Sequence, residues 1–376
     1  MDVLTSDLIR LGISFVIIIL GAELFTNGVE WLGVRLSLSE GAVGSVLAAV
    51  GTALPETLIP AVALLLFHES NSHDIGLGAI LGAPFMLATL AFFVTALGAL
   101  IYRKRRTEGM RLAVNRKVAS RDLGFFLPLY AASILISFAP ASHWARPLLA
   151  VGLLAAYGYY VYLNLRESAE STKEEALMFD LIWVASALLH PTADRQALRR
   201  RRLDLVQERP PHLPAVLGQV VFALGLIVGG AYAFVAATGS LATMAGFSPL
   251  VLALVITPIA TELPEKFNSL IWVRQGKDTL ALGNITGAMV FQSTFPVTLG
   301  LLFTPWHFGA TAAGHAALLS AAIALLSALC LLIVVRTGKG STFATWVLAV
   351  GLLWWLAFIG FVLQTVILHR GAGAAG

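Results

Sequence analysis

Charged residues are what this chain has least of. They make up 12% of the sequence, whereas soluble domains carry about a quarter. Hydrophobic residues make up 58%, and the mean hydropathy is +0.83. Apolar runs of about 20 residues, the length that a helix needs to cross a bilayer, recur along the whole chain. The composition therefore excludes a soluble domain and predicts an integral membrane protein built from helices, without the weak alternation of a β-barrel.

Cysteine and the common catalytic motifs are also scarce. The single cysteine, Cys330, excludes an internal disulfide framework. The sequence contains no Gly-x-Ser-x-Gly, no His-Glu-x-x-His and no phosphate-binding glycine loop, so it shows no machinery for a hydrolase or an energy-coupled pump. No basic-aromatic pattern suggests a nucleic-acid partner. We therefore expect no enzyme activity and no cofactor, and the expected partners are inorganic cations and the lipid bilayer.

Hydropathy divides the chain into about ten predicted transmembrane helices. They cover residues 8–32, 41–67, 75–102, 123–139, 146–164, 213–237, 248–273, 279–303, 309–335 and 342–368. The amino terminus lacks a basic leader, so we expect no cleaved signal peptide.

Basic residues orient these helices. They concentrate in the loops at residues 103–121 and 195–209, and smaller clusters lie at 274–277 and 336–339. The intervening loops are poor in arginine and lysine. By the positive-inside rule the basic loops are cytoplasmic and both termini are outside. We expect the protein in the cell (inner) membrane.

One long segment, residues 167–212, lies between two predicted membrane halves at 1–166 and 213–376. Its apolar middle, residues 177–189, is too short to span and contains Asp180, so we interpret it as an interfacial helix within a cytoplasmic linker. If it did span, the second half would turn over and its basic loops would face outward. That interpretation fits the charge distribution less well.

The two halves resemble each other. Residues 54–56 and 263–265 both read Leu-Pro-Glu, and residues 77–83 align with 282–288. Each half would hold five helices, and an odd number reverses the second half in the membrane. The sequence therefore predicts two inverted repeats, an arrangement common in transporters.

Glu56 and Glu265 lie within apolar spans, where an acid costs about 3 kcal/mol on insertion scales. Thr52 shares a helix face with Glu56, and Thr261 shares one with Glu265. Carboxylates, hydroxyls and carbonyls freed by proline are the oxygen ligands that a cation such as Ca²⁺ takes. Inverted halves would bring both clusters together near the midplane. The alternative is a pair of proline kinks whose glutamates are protonated or paired with arginine.

Other polar residues surround the second cluster. Glu262 precedes Glu265 by three residues, so the two can share a site or repel each other. Repulsion would favour a proton on one of them and suit a proton carrier. The alternative is that Glu262 pairs with Lys266 at a gate. Asn284 and Gln292 are either ion ligands or interhelical hydrogen bonds.

Three motifs carry a family resemblance. Residues 51–56, Gly-Thr-Ala-Leu-Pro-Glu, and 260–265, Ala-Thr-Glu-Leu-Pro-Glu, resemble the Gly-Thr-Ser-Leu-Pro-Glu motifs of the sodium/calcium exchanger family, within the Ca²⁺/cation antiporter superfamily. Residues 283–287 resemble its Gly-Asn-x-x-Gly motif. The resemblance implies a secondary active antiporter that moves Ca²⁺ or a similar cation against Na⁺ or H⁺. It also implies that Glu56 and Glu265 are the metal ligands, with Thr52 and Thr261 beside them.

The sequence departs from that family pattern where hydroxyl and amide ligands are expected. The residues found there are Ala53, Ala83, Leu87 and Ala288. Glu262 adds a carboxylate, so we favour H⁺ over Na⁺ as the counter-ion, with Glu262, Asn284 and Gln292 as further candidate ligands. The lost ligands also leave open a non-transporting assembly factor or enzyme on a degenerate exchanger scaffold.

The topology gives the first prediction. Cysteines introduced at Asn71 and Arg105, in a chain with Cys330→Ala, should react with an impermeant reagent from opposite sides of the membrane, because the basic loops face the cytoplasm. Labelling of intact cells and inverted vesicles measures this. Reaction of both positions from the same side would contradict the ten-helix topology and the inverted repeat.

Overall fold

The structure, a computed structural model, describes residues 3–35, 48–67, 71–139, 144–167, 212–338, 340 and 342–373. Helices dominate this part of the chain. In order they are α1 Val3–Arg35, α2 Ala48–Leu65, α3 Ser72–Met86, a π-helical turn Leu87–Ala91, α4 Phe92–Ile101, α5 Arg116–Leu135, α6 Ala145–Glu167, α7 Leu213–Ala245, α8 Pro249–Thr261, α9 Leu263–Arg274, α10 Asp278–Gln292, α11 Phe295–Phe303, α12 Ala312–Thr337 and α13 Trp346–Gly373. Two short strands, β1 Arg111–Ala113 and β2 Thr342–Ala344, form an antiparallel pair.

Eight helical segments among the described residues are long and apolar enough to cross a membrane, and two shorter apolar helices, Glu56–Leu65 and Pro249–Ile259, accompany them. The predicted all-α, polytopic architecture is confirmed. The count of about ten spans stays a prediction. The start of the second predicted span lies outside the described residues, and the seventh is divided between α8 and α9.

The division between α8 and α9 falls at Glu262, which ends one helix and precedes the next with φ −93° and ψ 10°. Pro258 lies inside α8, and Pro264 is the second residue of α9. Proline has no amide hydrogen, so it removes helical hydrogen bonds and leaves carbonyl oxygens unpaired. Inside a membrane such irregular backbone is tolerated only where protein or a cavity covers it. The break therefore marks a buried polar site.

The third and eighth predicted spans are distorted at equivalent points. The π-helical turn Leu87–Ala91 separates α3 from α4, and a short non-helical link separates α10 from α11. In the first, the Thr89 hydroxyl donates to the Phe85 carbonyl at 2.6 Å. In the second, the Thr294 hydroxyl donates to the Val290 carbonyl at 3.1 Å. The repeat alignment places these two hydrogen bonds in the same position, so the repeat extends to local distortions.

The crossing of α1 and α7 is symmetric in detail. A Cβ on Gly21 would lie 2.8 Å from Ile227, and a Cβ on Gly230 would lie 2.8 Å from Ile18. The alignment equates the two glycines and the two isoleucines. A contact in which each partner uses the same residues is what a two-fold relation produces. The missing side chains let the helix backbones approach closely, as in other membrane bundles.

The remaining helix pairs also occur in reciprocal sets. The packing of α4 on α13 is matched by α11 on α6, and that of α3 on α12 by α10 on α5. The packing of α4 on α9 is likewise matched by α11 on α2. Two repeats related by a pseudo-two-fold axis give this pattern. The predicted boundaries of the halves stay predictions, and the predicted interfacial helix at 177–189 lies outside the described residues.

Two predicted helix boundaries were wrong. α7 continues to Ala245, so Gly239, which lies beyond the predicted span 213–237, is a buried helical residue. The helix ends only at Gly246, whose φ of 68° forms a left-handed cap. α5 begins at Arg116 rather than at residue 123, so Asp122 lies inside the helix. Polar residues in both segments lowered the hydropathy, although tertiary contacts keep them helical.

A buried ion pair joins the loop after α4 to the start of α10. The Arg106 guanidinium donates to both carboxylate oxygens of Asp278 at 2.7 Å, and the two side chains are 2% and 1% exposed. Asp278 also accepts from the Ala113 amide at 2.8 Å, and Arg106 donates to the Val273 carbonyl. Together with the β1–β2 pair, this network ties one half of the bundle to the other at the side of the basic loops.

We predict that Arg106→Gln lowers the free energy of unfolding by about 3–5 kcal/mol, because it leaves the Asp278 carboxylate buried without its partner. The measurement is the apparent melting temperature of the purified protein in detergent. Arg105→Gln, on the exposed neighbour in the same loop, is the matched control and should change little. Equal melting temperatures for the two variants would show that the pair does not hold the loop.

Candidate functional site

The two predicted central carboxylates are buried close together. Glu56 lies in α2 and is 4% exposed, and Glu265 lies in the first turn of α9 and is 2% exposed. They interact electrostatically. In each, the Oε2 atom has no hydrogen-bond partner among the described residues. A buried acid normally finds a donor, so these oxygens are available to a cation.

Glu262 occupies the break between α8 and α9 and is 1% exposed. Its Oε2 atom lies 2.9 Å from the Lys266 ammonium, one helical turn later. The ammonium also lies 3.4 Å from the Pro258 carbonyl oxygen, one of those near the break. Of the two interpretations left open by the sequence, the structure contains the ion pair with Lys266.

The acidic residues do not form a compact metal triad. Within the described ranges, no three histidine, cysteine, aspartate or glutamate side chains converge as ligands of one ion. The assignment of Glu262 as a metal ligand stays a prediction.

The neutral candidates lie on three helices. Thr261, the last residue of α8, donates its hydroxyl hydrogen to the Thr257 carbonyl at 3.2 Å and keeps its oxygen lone pairs. The Asn284 side chain donates to the Glu265 carbonyl at 3.3 Å and so joins α10 to α9. Gln292, at the end of α10, is 1% exposed, and its Oε1 atom has no partner in the described part of the chain. Thr52 lies in α2, but its side chain is outside the described residues.

One further oxygen of this kind was missed by the sequence analysis. The Thr257 hydroxyl is buried and has no partner among the described residues. Thr257 precedes Thr261 by one turn, which in turn precedes Glu265 by four residues. A four-residue spacing places oxygen-bearing side chains on one helix face, so this spacing could have identified Thr257 as a candidate ligand from the sequence.

A further buried acid, Asp122, lies next to the helix that carries Asn284. Asp122 is 1% exposed and accepts hydrogen bonds from the Thr286 hydroxyl at 2.7 Å and the Tyr160 hydroxyl at 3.1 Å. Thr286 follows Asn284 by two residues and so faces the other side of α10. Asp122 therefore fixes the helix that carries Asn284. The sequence analysis missed Asp122, because it falls between the basic loop 103–121 and the predicted span 123–139.

The arrangement can hold and release a cation but shows no bond-making chemistry. Three carboxylates, from Glu56, Glu262 and Glu265, and the ammonium of Lys266 leave two net negative charges when all are ionised, which matches one divalent cation. The carboxylate, hydroxyl and amide oxygens are the ligand type that Ca²⁺ prefers. The N-terminus of a half-helix, α9, also lies within the site, as in other transporters with interrupted helices.

Comparisons with known proteins agree with this geometry. A sequence model of the sodium/calcium exchanger protein family matches residues 7–166 and 215–364. CaxA of Alkalimonas amylolytica, named as an antiporter, is 25% identical over 331 residues, which cover 87% of this chain and 89% of CaxA. The inner membrane protein YrbG of Escherichia coli is 26% identical over 269 residues, which cover 70% and 69% of the two chains.

Solved structures show the same fold. The H⁺/Ca²⁺ exchanger CAX superposes with a TM-score of 0.63 at 14% identity, over 97% of this chain and 88% of that one. The sodium-calcium exchanger NCX_Mj superposes with a TM-score of 0.55 at 18% identity, over 95% of this chain and 99% of that one. The chain is thus an integral, multi-pass membrane protein, and it belongs to the sodium/calcium exchanger family of the Ca²⁺/cation antiporter superfamily.

Proposed function

We propose that this protein is a secondary active antiporter that moves Ca²⁺ or a similar divalent cation by alternating access, with the ion held between Glu56 and Glu265. The observation that carries the proposal is the pair of buried, interacting carboxylates whose Oε2 atoms lack a donor among the described residues. A degenerate, non-transporting scaffold would have no reason to keep this arrangement, because intramembrane acids are costly.

The proposed ligand set extends beyond the two acids. Ca²⁺ takes about six to eight oxygens. Thr261, Asn284 and Gln292 supply neutral oxygens, and the break before α9 supplies backbone carbonyls. Thr52 joins them through its position one turn before Glu56. We assign Glu262 to its ion pair rather than to the divalent ion.

Alternating access follows from the symmetry of the bundle. The interdigitating pairs α4–α13 and α11–α6 are equivalent, so the two repeats can exchange conformations and open the same site to either side. We place the protein in the cell (inner) membrane with both termini outside. Repulsion between Glu56 and Glu265 in the empty site would hinder crossing without a counter-ion.

We further propose that the counter-ion is H⁺ rather than Na⁺. Ala53, Ala83, Leu87 and Ala288 offer no side-chain oxygen where the family pattern has hydroxyl and amide ligands. A sodium ion needs such a cage, whereas a proton binds a carboxylate directly. The ion pair of Glu262 removes that acid from the argument, which therefore rests on the missing ligands.

The site gives the third prediction. Glu56→Gln and Glu265→Gln should each reduce Ca²⁺ flux in proteoliposomes at least tenfold, because each removes one of the two charges that bind the ion. Folding should persist, since neutral glutamine is cheaper to insert than glutamate. Size-exclusion profiles and melting temperatures check this. Glu108→Gln, on an exposed loop acid, is the control and should transport normally. Normal flux through Glu265→Gln would refute the site.

The counter-ion gives the fourth prediction. Ca²⁺ uptake into vesicles should follow an imposed pH gradient when Na⁺ is equal on both sides, because a proton needs no cage of oxygens to replace the divalent ion. An imposed Na⁺ gradient at symmetric pH should drive no uptake. Uptake driven by an imposed Na⁺ gradient at symmetric pH would show instead that backbone oxygens build a sodium site.

A further inference from the structure

Lys266 is a charged residue that divalent-ion binding does not explain. Lys266 is 7% exposed and lies in α9, within the seventh predicted span. Lysines in membrane helices usually extend toward the interface to keep the ammonium hydrated. Here the side chain turns back toward the helix break, to the Glu262 carboxylate and the Pro258 carbonyl. The ammonium therefore lies at the helix break beside Glu262 and not at the membrane surface.

The ammonium shares its surroundings with the proposed ion ligands. It interacts electrostatically with Glu56, Glu262 and Glu265. Its two contacts are a carboxylate oxygen at 2.9 Å and a backbone carbonyl oxygen at 3.4 Å. A carboxylate beside carbonyls at an unwound helix is the surrounding that transporters use for monovalent coupling ions. The compact charge of a lysine ammonium suits such a place better than a guanidinium would.

The repeat alignment shows that the ion pair is an addition to the second half. Glu262 aligns with Ala53, and Lys266 aligns with Thr57. Among the aligned residues, the first half therefore has one charge, on Glu56. The second half has the equivalent charge on Glu265 and two additional charges, negative on Glu262 and positive on Lys266. The net charge of the two sets is therefore the same. The pair adds a cation and its anionic partner together.

We propose that the Lys266 ammonium is a tethered cation that fills a monovalent-ion position beside Glu262, so that no free alkali ion binds there. The role of this ammonium in transport rests on the proposed function. Sodium binding beside Glu262 can nevertheless be measured without transport. An exchanger built in this way would work without sodium at this position. The tethered charge would also keep Glu262 from competing for the divalent ion.

The test removes the tether and asks whether a free ion replaces it. Lys266→Thr introduces the residue of the first half and leaves Glu262 without its partner. We expect Na⁺ to raise the melting temperature of this variant saturably in detergent and to leave that of the unmodified chain unchanged. Sodium chloride is titrated against N-methyl-D-glucamine chloride at constant ionic strength, so that general salt effects cancel.

The matched control is Glu262→Ala/Lys266→Thr, which copies both first-half residues. It should lose the sodium response, because the carboxylate that would bind the ion is gone. If Lys266→Thr does not fold, Lys266→Gln is measured in the same way, with the same expectation. A folded single variant without a sodium response would show that Lys266 only neutralises Glu262. An equal response in the double variant would place the sodium elsewhere, and either result would overturn the proposal.

These results are separable from those on function. Absence of Ca²⁺ flux through the unmodified chain would refute the proposed antiport and leave the sodium titration of Lys266→Thr valid. If Ca²⁺ flux occurs, the tether predicts that flux through Lys266→Thr becomes dependent on Na⁺, whereas flux through the unmodified chain does not. Sodium-independent flux through a folded Lys266→Thr would contradict the tether while leaving the antiport intact.

Discussion

Every backbone amide and carbonyl inside a bilayer needs a partner within the protein, and this structure depends on one place where that rule is relaxed. At Glu262 the helix stops and restarts, so carbonyl oxygens and the N-terminus of α9 lie inside the bundle. Such a break is stable only when neighbouring helices cover it. The packing of α9 on α10 and α4 provides that cover. The charges around the break are therefore kept out of lipid.

Close backbone contact is what makes this cover possible. A Cβ on Gly78 or Gly82 would collide with the backbone of α8, so α3 and α8 touch along their length. The crossing of Gly21 and Gly230 with the opposite helices serves the same purpose between the halves. Since apolar side chains gain little by leaving lipid, packing at small residues stabilises the bundle.

The electrostatic balance of the site ties the two proposals together. The third carboxylate, on Glu262, is neutralised by the Lys266 ammonium at 2.9 Å, so the proposed site keeps two net negative charges when all four groups are ionised. Asp122 accepts from the hydroxyls of Thr286 and Tyr160, on the far side of α10, and lies 3.7 Å from the Arg121 guanidinium. Glu262 and Asp122 therefore have partners within the bundle, whereas the Oε2 atoms of Glu56 and Glu265 have none among the described residues.

The sequence by itself determined the all-helical class, most of the spans, the repeat and the pairing of Glu56 with Glu265. Hydropathy over a span and the cost of an intramembrane acid are local properties, so a single chain displays them. Only the tertiary structure decided that Glu262 contacts Lys266, and that Asp122 supports α10. Both depend on which neighbour a side chain reaches. The placement of the helices and the side-chain rotamers decide which neighbour is reached. Residue spacing in the sequence is compatible with several such contacts and does not select one.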